Sequence, residues 1–131
     1  MCIFCKIVKQ ELPAFKVYED DLTLAFLDIK PVTAGHLLVI PKEHYSNLEA
    51  IPAEVLTAVI STVKKMGAKL KANLGVAAYN VIENNDPVAG QIIPHLHFHL
   101  IPRQKEDGLY SWPGREYQPG EAAEILNKLT S

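Results

Sequence analysis

The chain has 131 residues, 48% of them apolar, with 13 Lys and Arg against 15 Asp and Glu for a formal charge of −2. That length suits one domain around one hydrophobic core, and a nearly balanced charge without long runs leaves no electrostatic footprint for duplex nucleic acid or an anionic membrane. No apolar stretch approaches the ~18 residues of a membrane span, and charge appears too near the start for a secretory signal, so the expected compartment is cytoplasmic.

In chain order, the first patterned stretch is 4–8, a short helical patch beside the only two cysteines, Cys2 and Cys5. In a reducing compartment a C-x-x-C pair suggests a metal site or a redox pair more than a structural disulfide. Strands are expected at 15–20 ("FKVYED"), 22–29 ("LTLAFLDI") and 35–42 ("GHLLVIPK"), with Asp20-Asp21 as a tight turn between the first two and Lys30-Pro31 to Ala34-Gly35 as the loop before the third. Strands joined this briefly run antiparallel. From 52 to 73 the apolar period is helical: Val55, Val59, Val63, Met66, Leu70 and Leu74 form one stripe opposite Lys64, Lys65, Lys69 and Lys71. Pro52 suits a first helical position and Gly75 a left-handed stop. Further strands are expected at 77–83 ("AAYNVIE") and 94–102 ("PHLHFHLIP"), then a turn-rich surface loop at 105–120 and a short helix at 121–129. This order predicts an α+β fold, an antiparallel meander with one long helix packed on it.

The segment "HLHFHL" at 95–100 holds three of the five histidines, alternating with large apolar residues. In a strand, His95, His97 and His99 share one face, about 6.7 Å apart from twice the rise per residue, while Leu96, Phe98 and Leu100 share the other. Such a row fits either metal ligation or a nucleophilic imidazole oriented by its neighbours. A neutral imidazole is nucleophilic near pH 7 when its second nitrogen donates to a fixed acceptor, and phosphorus is a natural target because phosphoryl transfer depends on positioning and charge stabilisation. Three ligands on one catalytic ion are disfavoured, since the outer two positions lie about 13 Å apart.

"AGQIIPHLHFHLIPR" (89–103), with "CIFCKIVKQELPAFKVYEDD" (2–21), "AFLDIKPVTAGHLLVIPKEH" (25–44) and "NVIENND" (80–86), resembles the histidine triad (HIT) superfamily, in particular its Hint-like nucleotide-binding and hydrolase branch. The resemblance implies a single HIT domain over 1–131, its motifs in 2–103 and a carboxy-terminal loop and tail in 104–131. It also implies a five-stranded antiparallel sheet with one long helix and shorter terminal helices, extended across a homodimer. The implied reaction is cleavage of the α-phosphate bond of a purine nucleoside monophosphate conjugate, such as a phosphoramidate, through a nucleotidyl-histidine intermediate. His97 would be the nucleophile, with His99 on phosphate oxygen and His36 in the same cluster. Asp28 would take the ribose hydroxyls, Ile3, Phe4, Ile7, Phe26 and Ile29 would surround the base, and Asn84, Gly90 and Gln91 would lie beside the phosphate. A structural zinc held by Cys2, Cys5, His44 and His95 is implied by likeness to relatives that keep the cysteine pair; no catalytic metal is expected. Two positions depart from the family pattern: Ile92 stands where many relatives have a hydroxyl residue, and Asp86 where bacterial relatives often have glycine. Trp112 is placed either at a partner's pocket or over its own core. Dinucleoside polyphosphate hydrolysis, a metal-dependent phosphohydrolase and a nucleotide-binding regulator with vestigial activity are the competing readings.

Overall fold

The computed structural model describes residues 2–131, as α1 (Ile3–Val8), β1 (Lys16–Glu19), β2 (Thr23–Leu27), β3 (Leu37–Pro41), α2 (Ala53–Leu74), β4 (Ala78–Glu83), a 3-10 turn (Pro87–Ala89), β5 (Phe98–Arg103) and α3 (Glu121–Thr130). The five strands form one antiparallel-paired sheet in the order β1-β2-β3-β5-β4. The sheet is therefore not the simple meander expected. Because β5 is antiparallel to both β3 and β4, those two run parallel, and α2 is the long crossover that parallel strands require; β5 then folds back from β4 into the gap between them.

Local chemistry accounts for the elements. Asp20 Oδ1 accepts the backbone N–H groups of Leu22 and Thr23, closing the β1–β2 turn. Pro52 is the N-cap of α2, so the helix begins one residue later than expected, at Ala53, and Gly75 ends it at φ +64° with its N–H on the Lys71 carbonyl. Gly67 lets α2 approach the sheet, since a Cβ there would overlap the Tyr79 hydroxyl.

Strand alternation divides the interior into two layers. On one side Ala25, Leu37, Val39, Leu96, Phe98 and Leu100 pack against Val59, Val63, Met66 and Leu70 of α2. On the other, Leu24, Phe26, Leu38 and Ile40 pack against Phe4 and Ile7 of α1. The histidines lie in this second layer, opposite α2. Beyond Arg103 the chain runs without regular structure to α3, as expected for 105–120, and Trp112 is exposed rather than packed over the core. Among the described residues no helix is long and apolar enough to cross a membrane.

Candidate active site

Regular β5 begins at Phe98, so His95 and His97 precede the strand and His99 lies in it. The alternation nevertheless holds through the lead-in, with Leu96, Phe98 and Leu100 in the α2 layer and the three imidazoles on the other side. Other bonds replace the ladder there: Leu96 N–H donates to the Tyr45 carbonyl at 2.7 Å, and His95 N–H to the Ile93 carbonyl at 2.8 Å. The rings lean together more than an ideal strand allows, with the His97 and His99 centroids 4.9 Å apart.

Hydrogen-bond partners fix the tautomers. A carbonyl only accepts, so the 2.7 Å contact from His97 Nδ1 to the His95 carbonyl places the proton on Nδ1 and, in the neutral ring, the lone pair on Nε2. Burial is the main influence holding His97 below the ordinary histidine range, opposed by that hydrogen bond and by the Asp28 carboxylate. Phe4 packs edge to face against the His97 ring at 5.2 Å between centroids. A second chain of bonds runs through His36. Its Nδ1 accepts the Val32 N–H at 3.0 Å, so Nε2 carries the proton and donates to His99 Nδ1 at 2.9 Å. His99 then carries its own proton on Nε2. Burial, followed by the charges of protonated His97 and His36, lowers His99 to about 4, so it is neutral at pH 7. The pair thus offers a lone pair on one ring and a neutral N–H donor on the next.

Asp28 lies at the end of β2, its Oδ1 accepting the Lys30 N–H at 2.8 Å and its Oδ2 3.6 Å from His36 Nε2. Asp28, His36 and His99 offer three donor atoms within 4.8 Å of one another. As a metal site this trio fails, because the Val32 contact leaves a proton, not a lone pair, on His36 Nε2. Nor do His95, His97 and His99 converge on one ion, since each ring has a different partner.

The second cluster suits a metal. Cys2, Cys5, His44 and His95 bring four ligand atoms within 4.8 Å of one another. His95 Nε2 donates to the Pro41 carbonyl at 2.9 Å, which turns its Nδ1 lone pair toward the sulfurs of Cys2 and Cys5 at 3.4 and 3.6 Å. His44 Nδ1 lies 3.5 and 3.4 Å from the same two atoms. The sulfur–nitrogen edge of a tetrahedron with Zn–S of 2.3 Å and Zn–N of about 2.05 Å is about 3.5 Å, so these four edges fit zinc. The sulfur–sulfur distance, 3.0 Å, is shorter than such a tetrahedron needs. Burial drives His95 to about 4, keeping the ring in the unprotonated form that a metal requires.

The positions expected around the base divide by exposure. Phe4, Ile7 and Phe26 are buried in the α1 layer, whereas Ile3 and Ile29 are 50% and 83% exposed. Gln91 is buried and its amide faces inward: Oε1 accepts the Asp86 N–H, and Nε2 donates to the carbonyls of Ser46 and Ile93. Its side chain shapes the loop over 84–91. Gly90 turns that loop at φ +95° close to Asn84, while Ile92 is 86% exposed. Asp86 has φ +73° and ψ +156°, a conformation that favours glycine, where the sequence departs from the glycine pattern. Sequence reasoning missed Val32, Pro41 and Tyr45, which act through backbone groups and leave no side-chain signature.

Comparison with known proteins places these features in context. The HIT domain family model matches residues 9–106. The adenosine 5'-monophosphoramidase HNT1 of Saccharomyces cerevisiae is 44% identical over 117 residues, covering 88% of this chain and 72% of the yeast protein. A crystal structure of a HIT family protein from Bacillus anthracis superposes with a TM-score of 0.88 at 41% identity, covering 98% of this chain and 94% of that one. A Zn-bound histidine triad family protein from Mycobacterium smegmatis superposes with a TM-score of 0.79 at 31% identity, covering 99% and 97%.

Proposed function

The chain belongs to the HIT domain family and is a nucleotide hydrolase of the HIT type, and on that premise we propose that it cleaves purine nucleoside monophosphate conjugates at the α-phosphate through a nucleotidyl intermediate on His97. The observation that carries this reading is the donation from His97 Nδ1 to the His95 carbonyl. Attack by the Nε2 lone pair forms an N–P bond, breaks the bond to the leaving group and makes the ring cationic, with its Nδ1 proton retained. The leaving group takes up a proton from solvent. A hydrogen bond donated by a cation is stronger than one donated by a neutral ring, so the His95 carbonyl stabilises the transition state more than the ground state. His99 Nε2–H supplies a donor for a phosphoryl oxygen, oriented by His36 and Val32. Water then attacks phosphorus, the N–P bond breaks with its electron pair returning to Nε2, one proton of the water passes to solvent, and the nucleoside monophosphate leaves with His97 neutral again.

The remaining assignments follow the same reading. Asp28 binds the ribose hydroxyls, exposed Ile3 and Ile29 contact the base above buried Phe4, Ile7 and Phe26, and Asn84 and Gly90 border the phosphate, with Gln91 holding their loop. A phosphoramidate is favoured by the relatedness to the yeast monophosphoramidase. Zinc at Cys2, Cys5, His44 and His95 would use all four tetrahedral positions for protein ligands and tie α1 to the segment bearing the nucleophile; its contribution is structural. The exposed β4 edge, with half-exposed Val81, supports pairing into a homodimer.

Rapid quench with adenosine 5'-phosphoramidate followed by intact mass measurement tests the reading. A nucleotidyl adduct is expected on the wild type and none on His97→Ala, with turnover lost. Turnover retained by His97→Ala overturns it.

A further inference from the structure

On the α2 side of the sheet, away from the histidines, an open cleft of about 400 Å³ lies between the carboxy-terminal half of α2 and strands β1 to β3. Its lining is apolar, chiefly Val17, Leu27, Leu37, Leu70 and Leu74, with Lys69 and Asn73 as its polar side chains. That composition, an apolar concavity with a few polar groups, is typical of small-molecule sites. Val17 and Leu74 remain 37% and 59% exposed, so apolar surface is left to water.

The polar side chains define what the cleft would accept. Lys65 and Lys71 each lean over a tyrosine ring, whereas neither Lys69 nor Asn73 makes a hydrogen bond or ion pair among the described residues. From residue 61 to its end α2 carries four lysines and no acid, which outweighs the half-unit negative charge of a helix terminus. A carboxylate carries one negative charge, which the single ammonium in the lining offsets while the Asn73 amide donates to its second oxygen; a phosphate monoester carries nearly two charges, of which the one ammonium offsets only one.

We propose that this cleft is a binding site for a small amphipathic carboxylate, its acyl chain against Val17, Leu27 and Leu74 over buried Leu37 and Leu70, and its head group on Lys69 and Asn73. The position gives the site a route to the other face. Leu27 precedes Asp28, and Gly35 and Leu37 flank His36; Asp28 N–H donates to the His36 carbonyl at 3.0 Å. A ligand in the cleft therefore bears on the β2–β3 rung whose residues carry the Asp28 and His36 side chains. The cleft lies toward the β1 edge of the sheet, so a partner on the β4 edge would add its strand at the far side.

Octanoate titrated into the full-length, metal-loaded protein and followed by amide NMR tests the proposal. Saturable shifts are expected at Val17, Leu27, Ala34 to Leu37, Leu70 and Leu74. Affinity should rise by up to about fourfold per methylene from hexanoate to octanoate, the factor that burying one CH₂ supplies. Lys69→Glu, on the exposed face of α2, should weaken octanoate binding at least about tenfold, as expected for loss of a charged hydrogen bond, and Val17→Trp should block it by filling the cleft. The proposal is overturned by an absence of saturable binding, by shifts confined to the histidine face, by equal affinity for octylammonium, or by affinity indifferent to both variants. It is also overturned if light scattering shows Val17→Trp dissociating a dimer, because a second copy then occupies the cleft.

Discussion

Replacing Asp86 by glycine should stabilise the protein, and the size of the gain follows from the backbone. At φ +73° and ψ +156° the residue occupies a region almost confined to glycine, at a cost of about 1–3 kcal/mol for a residue with a Cβ. Three backbone bonds hold it there: its N–H donates to Gln91 Oε1 at 2.7 Å, and its carbonyl accepts from Ala89 and Gln91 at 3.1 and 3.2 Å. Glycine keeps all three. Against the relieved strain stand about 0.5–1 kcal/mol for the added freedom of the unfolded chain and the exposed 3.4 Å bond from Asn47 to Asp86 Oδ1, worth at most about 0.5 kcal/mol. The expected net gain is about 1 kcal/mol, which for a chain of this length raises Tm by about 4 °C. Thermal and urea unfolding of the metal-loaded protein at fixed concentration measure it, with Asp86→Ala as the control that removes the carboxylate but keeps the Cβ. If Asp86→Gly shows no gain, or Asp86→Ala gains as much, the strain argument is wrong.

Other perturbations separate the parts of the site. His36→Leu removes the donor to His99 Nδ1 and should lower kcat by roughly 10²-fold with little change in KM; an unchanged kcat in steady-state assays would remove His36 from the relay. Stripping the metal with a chelator should lower Tm by about 10–15 °C when the metal exceeds its Kd by a thousandfold, read by scanning calorimetry, and cysteine-to-serine variants should lose that difference. Burial lowers the folded-state pKa of His36 and His99, the latter to about 4, while the unfolded rings titrate near 6.5. Between about pH 6.5 and 4 the unfolded chain binds more protons, so the urea midpoint should hold above pH 7 and fall as pH drops through that window; a midpoint constant down to pH 4 contradicts the assignment. Gly67→Ala drives a methyl into the Tyr79 hydroxyl and should cost about 1–3 kcal/mol, measured by urea unfolding.

The parts of the structure legible in the sequence are those governed by local periodicity. The α2 stripe and its glycine stop were readable because a helix repeats its pattern within the chain, and the alternation at 95–100 assigned the histidines to one face. Sheet order was not, since the entry of β5 between β3 and β4 depends on pairings far apart in sequence. The late start of β5 was equally hidden: the backbone at His95 and Leu96 and the His95 ring bond Ile93, Tyr45 and Pro41, through carbonyls that no side-chain pattern reports. The four-residue Cys/His cluster was recognisable by family likeness, and Asp86 stood out as a substituted glycine, but the strain it carries is visible only in its dihedral angles.

His95 offers its ring to the cysteine cluster and its carbonyl to the His97 ring, so the two share one residue's backbone and side chain. A backbone shift at that position moves both bonds together, whereas a change in the side-chain torsions re-aims the ring and leaves the carbonyl in place. A lineage that discards the cysteines must find another brace for the backbone at this position if its His97 ring is to keep its aim.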